Sequence, residues 1–108
     1  MKKGAIKKTH IDATETGAVK MKMGPFNALI VHHRISGGGS TGGHVSLSLS
    51  PDNSTGSYVA HHGGGENIPS GAQANSYTAL FTGLMDYVEV TLTATDKTHN
   101  VSVQPVQL

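Results

Sequence analysis

His44-Val-Ser-Leu-Ser-Leu-Ser50 and Asp86-Tyr-Val-Glu-Val-Thr-Leu-Thr-Ala94 are the two stretches from which the architecture of this chain follows. In both, aliphatic residues alternate with polar ones. Because successive side chains of a β-strand point to opposite faces, a period of two predicts strands with one apolar and one polar face. Neither strand can hide its apolar face alone, so we expect the two to lie beside each other in a sheet that the rest of the chain covers.

Shorter stretches of the same character surround these two. Segment 18–23 alternates Val and Met with Lys, and its lysines are typical of an exposed sheet edge. The run 26–35 is apolar at consecutive positions around Ile30, which predicts a central strand covered on both faces. Three further segments have strand character: 57–61, 76–81 and 101–108. No helical period exceeds one turn, so we predict an all-β fold, a single small antiparallel β-sandwich of jelly-roll or immunoglobulin-like outline.

Two glycine-rich segments interrupt the strand pattern. Residues 36–43 separate two predicted strands, and we interpret them as a hairpin loop in which glycine lets the chain turn. Residues 62–66 form a second glycine loop, followed by an irregular stretch up to residue 75.

The basic residues are concentrated at the front of the chain. The net charge is only +1, yet seven of the eight Lys and Arg residues precede residue 35. Residues 1–17 hold four lysines and few aliphatic anchors. We therefore predict an extended N-terminal arm over 1–17, mobile until it meets a neighbour, and a β-sandwich domain over 18–108. A frayed terminus is the alternative, and nucleic-acid binding is disfavoured because the arm has no Arg cluster and no interleaved aromatic residues.

Composition and motifs exclude several classes of function. The absence of cysteine excludes disulfides and thiolate chemistry. Neither an apolar run of ~18 residues nor the apolar part of a signal peptide is present, so we expect no association with a membrane. No nucleophile elbow, phosphate loop or zinc-protease helix occurs. We therefore expect a protein that is not an enzyme and that needs no cofactor.

The seven histidines raise the question of a metal site, because two adjacent pairs occur, His32-His33 and His61-His62. Adjacent residues of a strand point to opposite faces, so neither pair can easily chelate one ion. A site built from one member of each pair with His44 or Glu66 is an open alternative, but we favour ordinary polar histidines.

Carbohydrate binding is a second functional alternative, because it is a common task of small β-sandwiches. Such sites usually need aromatic platforms, and the chain has no Trp and only Tyr58, Tyr77 and Tyr87. Each tyrosine is equally well explained as a sheet or core residue with a polar tip.

The order of features resembles the small β-sandwich decoration (cement) proteins and accessory virion proteins of tailed phages. The matching features are the basic arm, the Val/Leu/Ser strand running into Ser50-Pro-Asp-Asn53, the glycine-rich middle, and Tyr87-Val-Glu-Val-Thr-Leu92 before a short last strand. The resemblance spans most of residues 27–108. It implies a non-enzymatic protein of the capsid surface, made in the host cytoplasm, that binds the major capsid protein or another virion protein.

This resemblance also implies a homo-oligomer, most often a trimer, which suits a chain whose core is poor in apolar residues. A basic arm complements the acidic outer surface that capsids often have. We therefore expect the capsid or assembly contact to lie in the first eight residues, and name five of them: Lys2, Lys3, Ile6, Lys7 and Lys8.

Overall fold

The computed structural model describes residues 1–37, 43–61, 76–95 and 97–108. Within these ranges the chain forms nine β-strands and no helix, so this part contains no helix able to cross a membrane. The strands are β1 (Lys2–Lys3), β2 (Lys7–Ala13), β3 (Gly17–Lys22), β4 (Ala28–Ser36), β5 (His44–Ser50), β6 (Val59–Ala60), β7 (Tyr77–Phe81), β8 (Tyr87–Thr93) and β9 (Thr98–Gln107). The all-β prediction is confirmed.

The strands form two antiparallel sheets that pack face to face. The first sheet contains β1, β2, β9, β4 and β7, and the second contains β3, β8, β5 and β6. Four pairs, β2–β9, β3–β8, β4–β7 and β5–β6, are successive parts of one long antiparallel hairpin. Pairing of β4 with β9 and of β5 with β8 rolls that hairpin into two sheets. This arrangement is a jelly roll, one of the two outlines predicted.

The core lies between the sheets and is built from the alternating positions recognised in the sequence. β5 and β8 are direct neighbours in register from His44↔Thr93 to Ser50↔Tyr87, as predicted. Their apolar faces point inward and meet the inner residues of β4, β7 and β9. The buried cluster consists mostly of Val, Leu and Ala, with a single Phe: Met23, Leu29, Val31, Val45, Leu47, Ala79, Phe81, Val88, Val90, Leu92, Val101 and Val103.

Two expectations about the middle of the chain need correction. β4 and β5 belong to different sheets, so residues 36–43 connect the two sheets and do not close a hairpin; residues 38–42 lie outside the described ranges. The second glycine loop and the irregular stretch after it also lie outside them. β4 is central in its sheet, but only one of its faces is covered: Leu29, Val31 and His33 are buried, whereas His32 and Arg34 are exposed.

The N-terminal segment differs from the predicted arm because much of it is paired into the first sheet. β1 pairs with β9 at Lys2↔Gln107, and β2 pairs with β9 from Lys7↔Val103 onward. Gly4 strengthens this attachment, since its N–H donates to the carbonyl of Pro105 at 2.7 Å. The physical reason is that the N–H and C=O groups of this segment form hydrogen bonds with β9. This pairing orders the segment although its side chains bury little apolar area.

A polar cluster crosses the core at one end of the sandwich. The side chains of His33 and His99 are both fully buried, and their rings lie 5.2 Å apart. Tyr77 meets His33 edge-on at 5.1 Å, and its hydroxyl oxygen accepts a hydrogen bond from the N–H of Val45 at 3.1 Å. Because Tyr77 is on β7 and Val45 on β5, this bond joins the two sheets directly.

The hydrogen bonds of the two buried histidines determine their tautomers. The N–H of Thr95 can only donate, and it donates to Nε2 of His99 at 3.2 Å, so neutral His99 carries its proton on Nδ1. Nδ1 of His99 lies 3.0 Å from Nε2 of His33, which must therefore accept. The proton of His33 is then on Nδ1, a buried atom with no hydrogen-bond partner in the described part of the chain.

Candidate functional site

The solvent-facing side of the first sheet presents an ordered set of side chains. The register of β7, β4 and β9 aligns them in rows: Leu80, Ile30 and Gln104 form an apolar-to-polar row, and Thr78, His32 and Ser102 form the next. A third row follows from the pairing of Arg34 with Asn100. Cross-strand neighbours on one face lie about 5 Å apart, so the rows form one continuous surface.

The N-terminal segment borders this surface and makes a groove of it. Two adjoining depressions, of about 320 and 250 Å³, share Lys8, His32 and Ser102 in their linings. We call them together the outer groove. Its apolar half is lined mainly by Ile6, Ile30 and the neighbouring part of β9. Its polar half is lined mostly by side chains that can donate hydrogen bonds: Lys8, His10, His32, Arg34, Asn100 and Ser102. The side chain of Ile11 completes this lining.

The charged groups of the polar half are available to a ligand. Lys8 and Arg34 are exposed, and the side chain of neither forms a hydrogen bond or an ion pair with another described residue. His32 is oriented by a 2.9 Å hydrogen bond between Nδ1 and the hydroxyl of Thr78, while Nε2 has no such bond within the described ranges. No Asp or Glu side chain is among the lining residues described.

One carboxylate lies near the polar half but is already engaged. The amide of Asn100 donates to the carboxylate of Asp12 at 3.3 Å, and the N–H of Asp12 donates back to the side-chain oxygen of Asn100 at 3.0 Å. This reciprocal pair fixes Asn100 at the rim. The polar half therefore combines cationic groups with an oriented amide.

All five residues predicted as the contact lie along one edge of the first sheet. Lys2 and Lys3 are exposed on β1, and Lys7 and Lys8 are exposed on β2. Ile6, between the two strands, is 64% exposed although it is a large aliphatic residue. Of the five, Ile6 and Lys8 line the outer groove, whereas Lys2, Lys3 and Lys7 do not.

The edge that carries these residues is poorly suited to pairing with another strand. The register between β2 and β9 shifts twice, between Lys8 and His10 and between His10 and Ala13. Asp12, within the second irregularity, has a φ of 47°. Bulges and lysines are features that discourage strand addition at a sheet edge. The side chains of the outer groove, and not the main chain of β2, are therefore the better candidates for recognition.

Apart from Ile6 and Lys8, the sequence analysis missed the residues that line the groove, among them Ile30, His32 and Arg34 of β4. We interpreted the 26–35 run as covered on both faces, which hid the fact that its even-numbered positions become polar after Ile30. Alternation of buried His33 and Ile35 with exposed His32 and Arg34 is the signal that identifies an open outer face.

The histidines do not converge on a metal site in the described ranges, which contain no group of three or more His, Cys, Asp or Glu side chains placed to hold an ion. His32 and His33 point to opposite faces as expected. His33 meets His99, a partner 66 residues away that was not anticipated. Two of the residues considered for a metal site, His62 and Glu66, lie outside the described ranges.

The tyrosines give little support to carbohydrate binding. Tyr77 is engaged in the core, where burial raises the pKa of its hydroxyl. The ammonium group of Lys20 lies 4.7 Å from the centroid of the Tyr58 ring, and that of Lys22 lies 6.0 Å from the centroid of Tyr87. A ring face covered by a cation is unavailable for stacking on a sugar.

Comparison with known proteins identifies the fold. No protein family and no curated protein matches the sequence. Among solved structures the chain is similar to the SPBc2 prophage-derived protein YomS, with a TM-score of 0.66 and 19% sequence identity. The match covers 95% of this chain and 91% of YomS. The jelly-roll sandwich described above is thus shared, over nearly its whole length, with a protein derived from a prophage.

Proposed function

We propose that this chain is a non-enzymatic structural protein of a phage particle, a capsid decoration or cement protein that binds the major capsid protein or another virion protein. The observation that carries the proposal is the basic, aliphatic edge of the first sheet. The fold shared with a prophage-derived protein supports a phage origin, and it is compatible with a location on the virion surface.

The chemistry of this edge suits attachment to an acidic protein surface. Four lysines of β1 and β2 are exposed beside three exposed large hydrophobic residues of the same segment, Met1, Ile6 and Ile11. Lysines steer association with an acidic partner, and exposed aliphatic side chains gain free energy when the partner covers them. Their combination in one segment is typical of a binding surface that is apolar at its centre and charged at its rim.

Association of several copies, most simply a trimer, is part of the proposal. The core is built largely from Val, Leu and Ala, and large hydrophobic side chains remain exposed away from the edge, with Val59 at 68% and Met85 at 45% exposure. Burial of such residues between copies stabilises a small domain beyond what its own core provides.

The test is attachment to particles. Protein purified separately is mixed with particles from a phage lacking the gene, and its cosedimentation is measured against salt concentration. We expect salt-sensitive attachment that is lost when Lys2, Lys3, Lys7 and Lys8 are changed to Glu. The control, Lys20→Glu with Lys22→Glu on the second sheet, makes half of that charge change and is matched by Lys7→Glu with Lys8→Glu; it should attach as the parent does, whereas the Lys7 and Lys8 pair should weaken attachment.

Circular dichroism establishes that the variants are folded, and sedimentation velocity gives the number of copies in the assembly. A parent protein that stays monomeric and never sediments with particles contradicts the proposal.

A further inference from the structure

We propose that the outer groove binds an extended acidic segment of the partner protein, with a carboxylate in its polar half and an aliphatic side chain in its apolar half. This inference rests on the proposed function and goes beyond it, because it names the chemistry that the partner must present. It also separates the residues that recognise the partner from the lysines that only attract it.

The polar half has the donors that a carboxylate requires. Lys8 and Arg34 approach from opposite sides of β9, since Lys8 of β2 pairs with Ser102 of β9 and Arg34 of β4 pairs with Asn100 of β9. A guanidinium group binds a carboxylate through two parallel hydrogen bonds, and an ammonium group adds charge without demanding direction. His32, held by Thr78, adds an oriented ring beside Arg34 on the exposed face of β4.

The apolar half has the shape and composition for one aliphatic side chain. Ile6 stands 64% exposed at its rim, and Ile30 is half-buried in its floor. The side-chain amide of Gln104 donates to the carbonyl of Gly4 at 3.0 Å, which holds the segment carrying Ile6 against β9. A Leu or Val side chain placed here removes apolar surface of both partners from water, which stabilises the complex.

Adjacency of the two halves favours a peptide segment over nucleic acid. A nucleic acid would use Lys8 and Arg34 for its phosphates, but it would then place bases against a surface lined by Ile6 and Ile30. Single-stranded nucleic acids bind by stacking their bases on aromatic side chains, and the described lining contains no Phe, Tyr or Trp. An acidic residue next to an aliphatic one matches both halves together.

The test uses a defined peptide, acetyl-Gly-Ser-Glu-Leu-Asp-Ser-Gly-amide, titrated into the isotope-labelled protein and followed by backbone amide chemical shifts. We expect shifts concentrated on β4 and β9 around His32 and Ser102. Arg34→Glu should weaken binding by roughly tenfold or more, the loss expected for a charge-assisted hydrogen bond. Lys22→Glu makes the same charge change on the second sheet and should alter the affinity by no more than about twofold, because salt screens distant charges.

Peptide controls and a nucleic-acid probe define the outcomes. Replacing Glu and Asp of the peptide by Gln and Asn should abolish binding, and replacing Leu by Ala should weaken it. The inference is overturned if the neutral peptide binds as tightly as the acidic one, or if the chemical-shift changes centre outside the groove. It is also overturned if a dodecathymidylate probe binds the same residues more tightly than the acidic peptide does.

Particle cosedimentation of the same variants distinguishes this inference from the proposed function. Loss of attachment in Arg34→Glu, with attachment retained in Lys22→Glu, supports the groove as the recognition site. If Arg34→Glu still attaches to particles, the groove is not the recognition site, although the proposed structural role on the particle stands. If the parent protein fails to attach, the particle role is wrong, and the peptide titration alone then decides what the groove binds.

Discussion

Acidification should destabilise this protein well above the pH at which carboxylates titrate, because of the buried pair His33 and His99. Burial, followed by electrostatic repulsion from His99, His10, His44 and His32, lowers the pKa of His33 from 6.5 to about 4. Burial, followed by the charges of Lys97 and His10, lowers the pKa of His99 as well. The hydrogen bonds give the same direction, since a second proton on His33 would face the Nδ1–H of His99.

The sign and size of the effect follow from proton linkage. Well above pH 6.5 neither the folded nor the unfolded chain protonates His33, and the full stability is present. As the pH falls from 6.5 to about 4, the unfolded chain takes up a proton that the folded chain refuses, so the free energy of unfolding decreases. The pKa difference corresponds to a loss of roughly 2 to 3 kcal/mol by pH 4, with His99 acting in the same direction.

The assay is urea denaturation followed by far-UV circular dichroism at several pH values between 7.5 and 4. The informative variant is His33→Gln, whose side-chain oxygen can accept the hydrogen bond from His99 but cannot titrate. His32→Gln makes the same change on the exposed face, where it removes only the smallest of the repulsions acting on His33, and should keep the parent's pH profile nearly unchanged. We expect the loss of stability between pH 6.5 and 4 to be clearly smaller in His33→Gln. Equal losses in the parent and His33→Gln would refute the reasoning.

Three further substitutions test other parts of the structure. Gly43→Ala should destabilise the fold by about 2 kcal/mol or more in urea denaturation, because φ is +74° and the new β-carbon would lie 2.6 Å from the carbonyl oxygen of Thr93. Tyr77→Phe should cost about 1–2 kcal/mol in the same measurement, since it leaves the N–H of Val45 without its hydroxyl acceptor. Gly4→Ala would bring a β-carbon within 2.9 Å of two ring side chains, so we expect faster tryptic cleavage at the N-terminal lysines with little change in global stability.

The sequence was most informative where burial imposes a period of two. β5 and β8 alternate strictly because one face of each meets the core, so their existence and pairing were predictable. β2 was not, because its pattern Lys-Lys-Thr-His-Ile-Asp-Ala is broken by two register shifts. Its strand conformation comes from main-chain pairing with β9, which leaves no side-chain period to detect.

Long-range pairing explains the rest of what the sequence did not reveal. Alternation placed His32 and His33 on opposite faces, but the contact between His33 and His99 depends on the register of β4 against β9. The outer groove arises in the same way, because Ile6 and Lys8 reach Ile30 and Arg34 only across β9. The period of a sequence shows which face of a strand each side chain occupies. Which residue lies beside it on the neighbouring strand depends on the topology and register of the sheet.

The position of β9 has a consequence for the order of folding during synthesis. β9 is the hydrogen-bonded neighbour of β1, β2 and β4, yet it spans Thr98–Gln107 and is synthesised after all the other described strands. Until it emerges, the earlier strands of the first sheet lack their central partner, and β4 has only β7 beside it. Completion of this sheet therefore has to wait for the synthesis of β9, and contacts between distant parts of a chain form slowly. Before β9 is made, β1 and β2 have no strand partner and β4 has only β7, and encounters between copies in this state would favour aggregation over assembly.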